Sequence, residues 1–208
     1  MRDNNPFHRT AARYDRQLRL PAISALRRQE AEAVRELIAA YARKEDTALE
    51  IGPGTGFYTL MLAPRVRHVT AIEDAPGMAE LLSGKLAQAG IENVTVLNQD
   101  FRTHRAPQPY DLAMAIGVLD YDPDPRGFIA RMCAAARKAV IFTVPQRGLW
   151  GACFAAANRL RRISVYCHDG GTLAGWAPGW RCVIREVGLK TPVTRGLTFV
   201  AALEPDGT

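Results

Sequence analysis

No stretch of the chain approaches the roughly 18 uninterrupted apolar residues of a membrane span. Its polar start, MRDNNPFHRTAARYDR, has no apolar core of a secretory signal. A cytoplasmic protein is therefore expected. Cysteine is scarce: Cys133, Cys153, Cys167 and Cys182 form no C-x-x-C pair, which excludes zinc and dithiol-redox spacing, and no metal is expected. There is no internal repeat and no low-complexity tract. The trio Cys167-His168-Asp169 is contiguous, and catalytic triads assemble from separated segments, so it is not read as one. The net charge of +6 is moderate. Its basic residues cluster at Arg13–Arg19, Arg27-Arg28 and Arg159–Arg162, and no basic run is interleaved with exposed aromatics in the manner of a nucleic-acid channel.

What is present is a chain of 208 residues, 48% apolar and 23% charged, long enough for one domain with a core of its own. β-rich runs alternate with helical stretches, the pattern of a parallel sheet with crossover helices. The periodicity predicts a helix over 22–43, then strands at Thr47–Ile51, His68–Ile72, Asn93–Leu97, Tyr110–Ile116 and Ala139–Val144. Intervening helices are predicted at Phe57–Leu62, Gly77–Ala89 and Pro125–Arg137, the second stopped by Gly90. Residues 146–180 break the rhythm and read as a lid-like insertion. In it Leu149, Trp150, Cys153, Phe154, Ala157 and Leu160 share a helical face, flanked by Asn158, Arg159, Arg161 and Arg162. Arg181–Val187 reads as a helix ended by Gly188, and Pro192–Thr194 with Leu197–Ala202 as an antiparallel hairpin. The units are thus 1–45 (cap and helix), 46–145 (core), 146–180 (lid) and 181–208 (helix and hairpin).

The strongest motif is Leu49-Glu50-Ile51-Gly52-Pro53-Gly54-Thr55-Gly56-Phe57. A strand that stops in glycines and opens a helix cradles a ligand, because backbone without Cβ admits close approach. Spacing selects the ligand. A dinucleotide site needs G-x-G-x-x-G, but Phe57 or Thr59 stands where its third glycine belongs, and no Gly-Lys-Ser/Thr of a P-loop follows. Glu73, 17 residues beyond Gly56, closes the second strand, where a carboxylate can take a ribose diol; Asp74 is the alternative acid.

Acid-x-Gly-x-Gly-x-Gly resembles the class I S-adenosylmethionine (SAM)-dependent methyltransferases. Glu73-Asp74-Ala75-Pro76-Gly77-Met78 is similar to their acid-x-Ser-x-x-Met segment, with Ala75 in place of the serine. The resemblance implies that Asp100 meets the adenine amino group and that Phe101 packs on the ring. It further implies that Ile116, Gly117 and Tyr121 line the methionine part. Phe7-His8-Arg9-Thr10-Ala11-Ala12-Arg13-Tyr14-Asp15 is similar to the F-x-x-x-A-x-x-Y-D lead-in of small-molecule methyltransferases, which makes Tyr14 a cofactor or substrate contact. The implied fold is α/β: a Rossmann-like seven-stranded sheet, mostly parallel, with an antiparallel C-terminal hairpin strand and helices on both faces. The implied cofactor is SAM, with S-adenosylhomocysteine as product. Its binding residues are Tyr14, Glu50, Gly52, Gly54, Gly56, Glu73, Asp74, Met78, Asp100, Phe101, Ile116, Gly117 and Tyr121. His8, Tyr14 and His168 are the catalytic candidates, with Asp120 and Tyr121 as further possible bases.

The expected activity is methyl transfer to a small hydrophobic or aromatic molecule, with O, N and C acceptors all open. RNA adenine dimethylases resemble the same glycine turn, but they carry Asn/Asp-x-Pro-Tyr/Phe after the fourth strand. Gly117-Val118-Leu119-Asp120-Tyr121 has neither the amide nor the proline. Nucleic acid is accordingly not the expected partner, and RNA adenine methylation stands as the alternative beside a non-catalytic SAM-binding protein. The arginine-flanked lid also leaves room for peripheral membrane contact, and oligomeric state is left open.

Overall fold

A computed structural model describes residues 21–160, 163–188 and 198–206, with side chains described outside 21–27 and 150. The strands are β1 (Thr47–Ile51), β2 (His68–Glu73), β3 (Val94–Asn98), β4 (Tyr110–Ala115), β5 (Ala136–Pro145), β6 (Trp180–Val187) and β7 (Thr198–Pro205). They form one seven-stranded sheet in the order β3-β2-β1-β4-β5-β7-β6. The first five pair in parallel, and β7 enters antiparallel between β5 and β6. The helices are α1 (Pro21–Tyr41), α2 (Thr59–Leu62), α3 (Pro76–Gln88), α4 (Pro125–Ala135), α5 (Leu149–Arg159) and α6 (Gly170–Leu173).

The central strands are apolar on both faces, as a parallel sheet covered twice requires. Alternate residues feed two cores. Ala48, Met114 and Ile141 meet Val34, Leu37 and Ile38 of α1, together with Leu82 and Leu86 of α3. Leu49, Ala113 and Val140 meet Phe128, Ile129 and Met132 of α4, with Leu173 and Trp176. At the opposite end from the glycine turn, Lys138 pairs with buried Asp46, and Asp111 accepts from Thr47 N at 2.8 Å. The strand starts are thereby locked together.

One expectation is corrected. Residues 180–187 are a strand, not a helix: Trp180, Cys182 and Ile184 alternate onto the second core, whereas Val183 and Val187, four apart, imitate a helical stripe. The C-terminal hairpin is accordingly β6–β7, and Pro192–Thr194 lies outside the described residues. The apolar face of α5 is turned outward, with Leu149 65%, Phe154 42% and Leu160 89% exposed. This helix packs by its small side instead: a Cβ on Gly151 would lie 2.3 Å from the Gln146 carbonyl, so the backbone itself makes the contact.

Phe142 is wholly buried and stacks on Trp176 at 6.2 Å. Phe142→Ala is expected to lower unfolding free energy by about 3–5 kcal/mol in urea titration. Leu160→Ala, at the exposed end of α5, is expected to change it by less than about 0.5 kcal/mol.

Candidate active site

A cleft of about 410 Å³ opens where β1, β2 and β4 end, beside the point at which strand order reverses. The glycine turn forms its floor. Gly52 N donates to Ile72 O at 2.8 Å, stitching the turn to β2. Gly52 has φ +63, and a Cβ there would sit 2.5 Å from Val118 Cγ2. Gly54, φ +57, has nothing within 4 Å of where a Cβ would be, so any side chain at this position would project into free space beside the cleft. Gly56 does not line the cleft; it lets α3 approach, since a Cβ would lie 2.4 Å from Leu82 Cδ1.

Glu73 is only 6% exposed and holds the turn. Its Oε2 accepts from Gly54 N at 2.9 Å and its Oε1 from Ala75 N at 3.0 Å. With Ala75 at its N-cap, α3 has no side-chain cap, and Glu73 instead fixes the N–H of Ala75 itself. Burial pushes its pKa up, and the two backbone donors offset part of that rise. Asp74 and Met78 line the same wall. At the next strand end Asp100 accepts from Arg102 N at 2.8 Å, and Phe101 packs on Phe128 with ring centroids 5.2 Å apart. Arg102 reaches across to Asp122 at 2.6 Å, closing this flank.

Glu50 is 2% exposed, lines the cleft, and its Oε2 meets no hydrogen-bond donor among the described residues. Its pKa is pushed up to about 7, first by burial, with Glu73 adding to the rise. The Thr59 hydroxyl, near but outside hydrogen-bond geometry, draws it down somewhat. Ile116, Gly117 and Tyr121 line the opposite wall, where Gly117 N donates to Thr143 Oγ1 at 2.8 Å.

A strap following α5 roofs one end through Ile163 and Ser164. It is tied down by Tyr166 N to Asp120 O at 2.8 Å and by His168 N to Pro145 O at 2.9 Å.

Of the residues singled out from the sequence, Glu50, Gly52, Gly54, Glu73, Asp74, Met78, Asp100, Phe101, Ile116, Gly117 and Tyr121 come together around the cleft. His8 and Tyr14 lie outside the described residues. His168 is elsewhere: its ring stands edge-on to Trp176 at 4.9 Å, its buried Nε2 meets no hydrogen-bond partner among the described residues, and burial lowers its pKa. Cys167 Sγ turns to Gly151 O and Asp169 to Arg147, so the contiguous trio does not converge. No cluster of metal-ligating side chains occurs among the described residues. Sequence reasoning missed Tyr58, Arg102, Asp122, Ile163 and Ser164 in the lining. Only the ion pair's opposite charges left a trace, and twenty residues separate them.

The buried carboxyl of Glu50 makes stability depend on pH. Its folded pKa of about 7 lies above its ordinary 4.5. The folded chain therefore holds that proton longer than the unfolded one. Stability is intact below about pH 4.5 and falls as pH rises through 7, by roughly 3 kcal/mol. Glu50→Gln is expected to raise the melting temperature at pH 8, with the gain shrinking towards pH 4.5 in thermal scans.

The ribosomal RNA adenine dimethylase family matches residues 32–121, less than half of the chain. Ribosomal RNA small subunit methyltransferase A of Thermobifida fusca is 40% identical over 90 residues, covering 41% of this chain and 31% of that protein. The chain spans only 20–31% of the length of the curated relatives it matches. Among solved structures, magnesium protoporphyrin IX methyltransferase (ChlM) from Synechocystis PCC 6803 with bound S-adenosylhomocysteine superposes with TM-score 0.73. It covers 95% of both chains at 16% identity. The 23S rRNA methyltransferase ErmE superposes with TM-score 0.57 at 22% identity, over 84% of this chain and 68% of that one. The expectation that set nucleic acid aside is corrected by these matches, because the relatives in sequence are named for ribosomal RNA. It had given the few residues after β4 more weight than the longer segment that ends there. In sheet order, glycine turn and strand-end acids, the chain has the Rossmann-like fold of SAM-dependent methyltransferases.

Proposed function

We propose that the chain is a SAM-dependent methyltransferase whose acceptor is RNA, with adenine as the base. The cofactor reading rests on one observation: a sealed carboxylate oxygen without a donor, Glu50 Oε2, at the floor of a cleft whose glycine turn leaves Gly54 open. An ammonium group supplies the missing donor, and an adenosyl moiety fits against a turn that carries no side chain. The acceptor reading is supported by the match to the RNA adenine dimethylase family over 32–121.

SAM supplies a methyl group activated on a sulfonium. The chain supplies position and dryness. Glu50 would hold the amino group of the methionine part. Glu73, with each oxygen already taking one backbone N–H, keeps lone pairs for the ribose hydroxyls. Asp100 and Phe101 would hold and cover the adenine. Ile163 roofs the cleft and limits water at the reacting end.

One observation favours a second reading, a small apolar acceptor: Val118, a cleft-lining residue, puts an aliphatic side chain where the dimethylase motif has an amide. Tyr121 keeps that motif's aromatic place and also lines the cleft. A SAM-binding protein without turnover is distinguished by whether S-adenosylhomocysteine is released.

Incubation with methyl-labelled SAM and undermethylated ribosomal RNA is expected to place label in N-methyladenine, with RNA binding that weakens steeply as salt rises. Unlabelled RNA together with salt-insensitive binding would transfer the reading to a small acceptor. Glu73→Ala is expected to weaken SAM at least tenfold by calorimetry, since a lost charge-assisted hydrogen bond costs about 1.5–3 kcal/mol.

A further inference from the structure

Beside the strap-side end of the cleft lies a second carboxylate that the cofactor reading leaves unused. Asp120 stands behind the lining, between Val118 and Tyr121, which both line the cleft, with buried Leu119 next to it. Its Oδ1 is sealed from solvent and accepts no hydrogen bond among the described residues. Two nearby donors are already committed. Tyr166 N goes to the main-chain oxygen of Asp120, and the Tyr58 hydroxyl, whose ring lines the cleft, donates to Glu30 Oε1 at 2.6 Å. Glu30, on α1, is close enough to raise the Asp120 pKa, and Asp120 in turn helps to raise that of the Cys167 thiol in the strap. A carboxyl in a purely structural role is normally given a donor, and leaving one out costs stability. A second acid near enough to raise the Asp120 pKa compounds that cost.

We propose that Asp120, with Glu30 behind it, is the acceptor-side subsite for an amino group and takes the proton that leaves nitrogen during methyl transfer. An amino nitrogen has more than one N–H to offer, and it turns cationic at the moment of transfer; both features answer a carboxylate pair better than a hydroxyl does. The nitrogen lone pair forms the N–CH3 bond while the C–S bond breaks toward sulfur, leaving a neutral thioether. The cationic nitrogen then gives one proton to the Asp120 carboxylate. Burial and Glu30 push the Asp120 pKa up to about 7, so near neutral pH it can accept that proton. The amino group can belong to a nucleobase or to a free amine, and the chemistry is the same.

The inference rests on the SAM reading, and its test separates the two. Sinefungin, which replaces the methylsulfonium of SAM by an amine-bearing carbon, and S-adenosylhomocysteine, which lacks any group there, are titrated calorimetrically into wild type, Asp120→Asn and Glu30→Gln. The wild type is expected to bind sinefungin at least tenfold tighter. Asp120→Asn should bring the two to within about threefold, and Glu30→Gln should narrow the gap, with S-adenosylhomocysteine affinity unchanged in both. Circular dichroism confirms folding; Asp120→Asn is isosteric and removes a buried charge. An unaltered ratio in Asp120→Asn overturns the inference while leaving the cofactor reading intact, and failure of both ligands to bind wild type overturns both. With labelled SAM, N-methyladenine in RNA assigns the amino group to a nucleobase and an N-methylated small amine assigns it to a free molecule. An O- or C-methyl product in either arm overturns the inference.

Discussion

The site depends on one carboxylate. Glu73 bonds Gly54 N with one oxygen and Ala75 N with the other, so a single side chain joins the glycine turn after β1 to the start of the helix after β2. Without it the turn would have only Gly52 N to Ile72 O holding it against the neighbouring strand. Asn98 extends the chain of constraint: its amide donates to Glu73 O at 2.7 Å, linking the ends of β3 and β2. The ends of β3 and β2, the start of α3 and the glycine floor are therefore one hydrogen-bonded unit. Its precision comes from backbone donors that no substitution of a neighbouring side chain removes.

Much of this was legible because it is local. The glycine turn, the acid at the end of β2 and Asp100-Phe101 after β3 each follow directly from a strand whose period is plain. Strand ends of a parallel sheet line up without further information. What stayed hidden is tertiary. Arg181–Val187 carries both a period of two and a spacing of four, and only pairing with β7 decides between them. The face of α5 could not be assigned because the polar–apolar contrast is real but reversed by Gly151, which buries backbone in place of an apolar side chain. Ile163 and Ser164 reach the cleft only because Tyr166 is bonded to the loop after β4. His168 drew attention as a lone histidine, yet packing on Trp176 is a sufficient reason for it.

The cleft is also electrostatically expensive. Glu50 and Asp120 are both held near neutrality by burial, and neither has its full set of donors. A fold selected for stability alone would replace them with amides or apolar groups of similar volume, as buried charge is rarely a net gain. They contrast with the other buried acids among the described residues: Asp46 is answered by Lys138, Asp122 by Arg102 and Glu73 by two backbone N–H groups. The unanswered acids lie in the cleft and beside it, while the answered ones knit the strand starts, the glycine turn and the adenine flank. A cationic sulfonium with its ammonium group, and an acceptor nitrogen that becomes cationic, would balance both.

This division bears on how far sequence similarity can reach. The segment shared with the RNA adenine dimethylase family ends at residue 121, by which point most of the residues lining the cleft have been supplied. Only Asp122, Phe128 of α4 and the strap residues Ile163 and Ser164 join the lining beyond that point. Identity concentrated in the earlier segment tracks the demands of a common cofactor, whereas acceptor choice is set by residues free to change once the turn is fixed. Val118 and Asp120 stand at that boundary, one apolar and one acidic, two residues apart on the same loop. A base presented edge-on would place its ring against the first and its amino group toward the second. That requirement is more specific than charge or overall fold, and two side chains on one short turn are enough to meet it.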